Sequence, residues 1–463
     1  MPPPIVEDLS GESAILEQAA RQAIRFLEEV DRRPVFQPPR ALPPAVLPGE
    51  GQGAAATLEL FSAHFEPLLS ASAGSRYLAF VTGGSTPAAV AADWLVSAYD
   101  QNASHARGSC ACAVELQALD LLRQLVGLPT GFEACMVTGA TMANFCGLGA
   151  ARQWCGERQG VDISQSGVAA APAMAVFAAT PHASAIKALA MLGMGRAAHR
   201  SVPCLPGREA MDMQALRAAL ARQQGPSIVL ASACTVNTAD FDDLSAVADL
   251  CGEFGAWLHV DAAFGLFAAC SARHAGLLRG LERADSLSAD AHKWLNVPYD
   301  CGFVFTRHLR MLEKTFHASA VYLMGNTTEE VPDLFQRTPE SSRRFRALPV
   351  WMTLMAYGRE GYREIIERTC ALAESLGDWI QASAHFELLA PVRLNIVCFA
   401  LRRATPEANR RFLRNLEADG RAFLTPTHYA GKPALRAAFS NWRTSAADLE
   451  IIREALLDAA RRI

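Results

Sequence analysis

Between about residues 134 and 305, short apolar stretches alternate with stretches of helical periodicity. Residues 134–138 precede a helix-like run to 154, 175–179 precede 183–192, and 227–231, 257–260 and 302–305 follow as further apolar runs. Strands separated by helix-length connections pair in parallel, because a parallel neighbour needs a long crossover. The pattern therefore predicts an α/β chain with a mainly parallel sheet between layers of helices. Open sheets of this kind bind ligands beyond the C-terminal ends of their strands. Asp261 closes the run Ala256-Trp257-Leu258-His259-Val260, so its carboxylate is expected at such an end. An unpaired carboxylate there would be costly, so a partner is expected to meet it.

The 463 residues exceed what one hydrophobic core usually holds. After residue 351 a long helical pattern leads to a second sheet-and-helix region, with a strand-like stretch at 394–400 and a terminal helix from Ala446. Ahead of the alternating region lie a helical stretch around 15–29 and a proline-rich connector at 34–48. These features divide the chain into an N-terminal arm (1–105), a large domain (106–350) and a smaller C-terminal α/β domain (351–463). Forty-three lysines and arginines stand against 47 aspartates and glutamates, a net charge of -4 that offers no basic field for nucleic acid. The start, Met1-Pro2-Pro3-Pro4-Ile5-Val6, has neither the basic nor the apolar region of a signal peptide, and no apolar span is long enough for a bilayer. Twelve cysteines are scattered through apolar segments, which fits a reducing cytoplasm. Cys110-Ala111-Cys112 lacks the second ligand pair that a metal site needs, so no metal is expected.

Four segments carry chemistry. Val137-Thr138-Gly139-Ala140-Thr141-Met142-Ala143-Asn144 joins a strand to a helix through small residues, and such a helix start accepts a phosphate. Thr180-Pro181-His182 follows a strand and opens a helix, placing His182 at the same sheet edge as Asp261. Lys293 lies in Ala289-Asp290-Ala291-His292-Lys293-Trp294, and Thr235 in Ser232-Ala233-Cys234-Thr235-Val236-Asn237-Thr238. Taken singly, these read as a surface lysine, a capping histidine and ordinary βα turns.

Taken together, they resemble the fold-type I pyridoxal-phosphate enzymes, and most closely the group II amino-acid decarboxylases. In that family an HVDAA segment supplies the ring aspartate and an HKW segment the lysine. The resemblance implies that Lys293 forms a Schiff base with pyridoxal 5'-phosphate and that Asp261 keeps the ring nitrogen protonated. It also implies that His182 stacks on one ring face and Ala263 presses on the other. Gly139, Ala140 and Thr141 are expected to cradle the phosphate, Thr235 to lie near the ring oxygen, and His292 with Asp290 to assist phosphate binding and lysine placement. Cys234 stands where the family usually has glycine, and cysteine takes φ > 0 less freely. Arg343, Arg344 and Arg346, in a second matching stretch, could meet a carboxylate or a partner subunit.

The expected activity is decarboxylation of an L-amino acid to its amine by a homodimer with shared active sites. One departure qualifies it: where the resembling aromatic amino-acid decarboxylases carry a proton-donating loop tyrosine, this chain has Leu334 or its neighbour Phe335, and Tyr322 is well upstream. Oxidative conversion to an aldehyde, carbon–carbon lyase chemistry, or cofactor binding without turnover by a regulatory protein are the alternatives.

Overall fold

A computed structural model describes residues 3–319, 331–402 and 405–463. Seven strands form the main sheet: β1 (Glu133–Val137), β2 (Ala175–Ala178), β3 (His199–Ser201), β4 (Ser227–Ser232), β5 (Trp257–Asp261), β6 (Ser286–Asp290) and β7 (Gly302–Thr306). Their order is β1-β7-β6-β5-β4-β2-β3. The five strands from β6 to β3 run parallel, and β7 is antiparallel to both its neighbours. Strands β2, β4, β5 and β6 are buried along their whole length, because crossover helices cover both faces. Aspartates cap two of those helices: Asp212 before Met213–Arg222 and Asp243 before Leu244–Phe254. Each offers a carboxylate to amides that would otherwise lack a partner.

A second, smaller sheet is antiparallel, with order β10-β11-β9-β8 formed by β8 (Phe386–Leu388), β9 (Ile396–Leu401), β10 (Thr425–Tyr429) and β11 (Lys432–Ala438). Phe386 meets Phe399 and Phe412 edge-on at 5.6 and 5.9 Å in its core. Each such fully buried ring contributes about 1.5–3 kcal/mol. The helix Ala347–Ala382 joins the two units: Tyr362 and Ile366 pack into the large core, Leu376 and Ile380 into the small one. Gly358, at φ 56, kinks it. The proline-rich connector forms no helix or strand; its beginning is pinned to the small unit by Val35 N–H on the Gly420 carbonyl and by Phe36 stacked on Phe423.

Register brings the chemistry together. Ser232, Asp261 and Ser288 lie abreast on β4, β5 and β6. Gly302 pairs with both Val137 and Asp290, so the turn after β1 lies beside the end of β6, three residues before Lys293. No described helix is long and apolar enough to cross a membrane.

Candidate active site

A cleft of about 870 Å³ opens at the C-terminal ends of β4, β5 and β6. Gly139, Ala140, Thr141, His182, Thr235, Asp261, Ala263, His292 and Lys293 all line it. Asp261, 8% exposed, accepts a hydrogen bond from Asn144 Nδ2 at 3.0 Å on one oxygen and from the Ala263 amide at 3.2 Å on the other. A run of donors fixes that amide. Trp257 Nε1 donates to Ser286 Oγ at 2.9 Å, Ser286 Oγ to His259 Nδ1 at 2.7 Å, and His259 Nε2 to Asn144 Oδ1 at 2.9 Å. Asn144 can then turn only its NH₂ toward Asp261. Burial pushes His259 down to about 3, so it stays neutral and keeps this polarity. Gly147 makes room for its ring, since a Cβ there would lie 2.5 Å from His259 Cε1.

Lys293 Nζ lies 2.8 Å from Asp290 Oδ2. The other Asp290 oxygen accepts the Ala140 amide at 2.5 Å and lies 3.5 Å from His292 Nε2. Ala140, expected to offer its amide to a phosphate, thus gives it to Asp290. His292 Nδ1 accepts the Cys301 amide at 3.1 Å, and burial lowers this histidine's pKa. Backbone packs tightly under the lysine: a Cβ on Gly83 would meet the Lys293 carbonyl oxygen at 1.7 Å.

His182 caps the helix Ala183–Met191 through Nδ1, which accepts the Ser184 amide at 3.2 Å. Its Nε2 therefore carries the proton when the ring is neutral, and burial favours the neutral ring. Cys234 adopts φ 87, the left-handed conformation that glycine takes freely. Thr235 nevertheless reaches the cleft, donating to Glu209 Oε2 at 2.5 Å.

Three contributors lay outside the expected set. Asn144 and Arg436 lie in segments that resemble the family but had no expected role, and Glu209 comes from a distant loop that only the topology brings to this wall. Arg436 is 5% exposed, donates to the Val236 carbonyl at 2.9 Å, leaves Nε without a partner, and has no ion pair among the described residues.

The arginine cluster is placed elsewhere. Arg343 pairs with buried Glu115 at 2.7 Å and donates to the Ala103 and Met136 carbonyls, while Arg344 meets Asp93 and Arg346 meets Asp300, each at 2.8 Å. Leu334 and Phe335 are buried in the turn Leu334–Arg337, with the Phe335 ring 4.8 Å from that of His105, and neither lines the cleft. Tyr322 lies outside the described residues.

A profile described as "Pyridoxal-dependent decarboxylase conserved domain" matches residues 62–402. The aromatic-L-amino-acid decarboxylase of Bacillus atrophaeus is 31% identical over 390 residues, 81% of this chain and 78% of that protein. Tryptophan decarboxylase 1 of Oryza sativa subsp. japonica is 31% identical over 398 residues, 79% of this chain and 76% of its own. A 3,4-dihydroxyphenylacetaldehyde synthase of Drosophila melanogaster is 31% identical over 227 residues, 49% of this chain and 44% of its own. Among solved structures, Oryza sativa TDC with PLP and tryptamine superposes with a TM-score of 0.90 at 27% identity, covering 98% of each chain.

Proposed function

The chain belongs to the family of pyridoxal-dependent decarboxylases, which use pyridoxal phosphate, and from that premise we propose that it releases carbon dioxide from an L-amino acid and yields the amine. The observation that carries this reading is the meeting in one cleft of Lys293, the Asn144-held carboxylate of Asp261, and the helix start at Gly139. These residues fit the cofactor. Asp261 offers a carboxylate to a ring nitrogen, Ala263 keeps its wall low, and a Cβ at Gly139 would crowd His292 at 3.0 Å and Asp290 at 3.2 Å. Bound there, the cofactor supplies an electron sink for the bond broken at the substrate's α-carbon.

The chain's residues do the rest. Lys293 would hold the cofactor covalently through Nζ, which lies beside Asp290, and Asp290 would steady a proton on that nitrogen when it is free. Asp261 would accept a hydrogen bond from the cofactor's ring nitrogen, His182 would cover one face of the ring, and Thr235 would meet its ring oxygen. Arg436, a buried cation without a paired carboxylate, receives the substrate's carboxylate and so orients the bond to be broken.

A second reading, conversion to an aldehyde, is favoured by one observation: the chain is also 31% identical over 227 residues to a 3,4-dihydroxyphenylacetaldehyde synthase. In that case oxygen and water are consumed, and the products are aldehyde, carbon dioxide, ammonia and hydrogen peroxide. The holoenzyme incubated with a panel of L-amino acids, in air and under argon, separates the two by amine, aldehyde and carbon dioxide yields. No carbon dioxide from any amino acid would overturn both. Borohydride should fix the cofactor to the wild type and not to Lys293→Ala; equal labelling of the variant would remove Lys293 from its role.

A further inference from the structure

Glu209 lies in the loop between β3 and the helix Met213–Arg222, lines the cleft, and belongs to no recognised motif. Its carboxylate grips the turn after β4. One oxygen accepts Thr235 Oγ1 at 2.5 Å and Thr238 Oγ1 at 2.7 Å, and the other accepts Asn237 Nδ2 at 3.2 Å. Its own backbone is fixed by Thr180 Oγ1 on its carbonyl and by its amide on Asp240. Among the described residues it forms no ion pair, and its charge acts on the cleft wall that it shares with Arg436.

A hydroxyl has one proton to give and two lone pairs. Thr235 gives its proton to Glu209 and uses one lone pair on the Asp240 amide at 3.0 Å. Only a lone pair is left for the cleft, so Thr235 meets a ligand as an acceptor and not as a donor. The preceding residue explains why such bracing is needed. Cys234 at φ 87 is a strained conformer, which persists only where its surroundings over-determine it. Three bonds from Glu209 do that.

Resting on the reading that the cofactor's ring oxygen lies at Thr235, we infer that Glu209 is a positioning residue. It locks Thr235 as an acceptor and, together with its own charge, keeps a proton on the pair formed by the ring oxygen and the Lys293 imine nitrogen. A donor hydroxyl would stabilise a bare ring oxygen and release that proton; an acceptor beside a carboxylate retains it.

The test is the pH titration of the visible absorption of the resting holoenzyme, without substrate, in wild type, Glu209→Ala, Glu209→Gln and Thr235→Val. His182, Asp261, Asp290, His292 and Arg436 line the same cleft and are common to all four proteins. Behind Glu209, Asp240 is paired with Arg208 at 2.6 Å and Arg393 at 3.3 Å, and Tyr429 donates to the Gly207 carbonyl at 3.4 Å; these too are unchanged. Glu209→Ala removes both charge and acceptor and should lower the apparent pKa by about one unit or more. Glu209→Gln keeps an acceptor for Thr235 and should shift it less, in the same direction. If Glu209→Ala fails to load cofactor by borohydride fixation, Glu209→Gln decides. A titration that moves in Thr235→Val but matches wild type in both Glu209 variants overturns the inference while leaving Thr235 at the ring oxygen. A titration unmoved in all three overturns the placement of Thr235, and the inference with it.

Discussion

Asp261 accepts from one side-chain donor among the described residues, the amide of Asn144, and no cation pairs with it. A carboxylate so deeply set and so sparsely paired is built for a charged group that arrives with the ligand. Asp261→Asn should therefore fold and bind cofactor yet lose turnover by roughly hundred-fold or more, the usual cost of removing a preorganised electrostatic group. Steady-state kinetics on the fully loaded variant measure this, and near-normal kcat would take Asp261 out of the mechanism. Asp261 was legible in the sequence because it closes an apolar run, and Lys293 only because its segment resembles the family's HKW segment. Asn144, Glu209 and Arg436 were not. Their neighbours in space lie 117, 26 and 200 residues away, and no local periodicity encodes such a meeting.

At the scale of elements, the strands of the main sheet with continuous apolar residues were legible and two others in that sheet were not. β3 is three residues long, and β6 reads Ser286-Leu287-Ser288-Ala289-Asp290, small and polar although wholly buried. Its serines serve β5 and the helix behind it: Ser286 bonds Trp257 and His259, and Ser288 donates to Asn144 at 2.6 Å. His259 is the titratable member of this layer. Its folded pKa, about 3, lies below the unfolded value near 6.5, so its contribution to stability is present above pH 6.5 and is lost as pH falls toward 3. One proton bound only by the unfolded chain adds a slope of about 1.4 kcal/mol per pH unit. Urea midpoints between pH 7 and pH 4 should fall less steeply for His259→Gln than for wild type; parallel lines would mean that His259 takes up its proton in the fold.

The turn Leu334–Arg337 is closed around its apolar side chains, away from the cleft. Leu334 is fully buried, so Leu334→Tyr must both overfill the site and bury a hydroxyl. A loss of about 1–3 kcal/mol in urea denaturation is expected. An unchanged midpoint would show that the turn can open and present the ring elsewhere.

Across the whole molecule, apolar side chains gather where the N-terminal helices meet the large unit. Leu16 and Ile24 on the helix Glu12–Glu29, Phe61 on Ala54–His64, and Trp94 and Tyr99 on Pro87–Tyr99 are all exposed. Phe26, Leu58, Phe61 and Trp94 line one groove among these helices. An exposed apolar groove of this kind is what an interface would cover, and a second copy related by a twofold axis would cover it on both chains at once. A homodimer is therefore expected, with light scattering giving twice the chain mass at micromolar concentration. Trp94→Glu, which sets a charge in the middle of the patch, should shift the equilibrium to monomer. If the active site is shared between subunits, turnover should fall with the dimer fraction on dilution, while borohydride still fixes cofactor to Lys293. A wild-type chain that is monomeric and fully active would refute both the interface and the sharing.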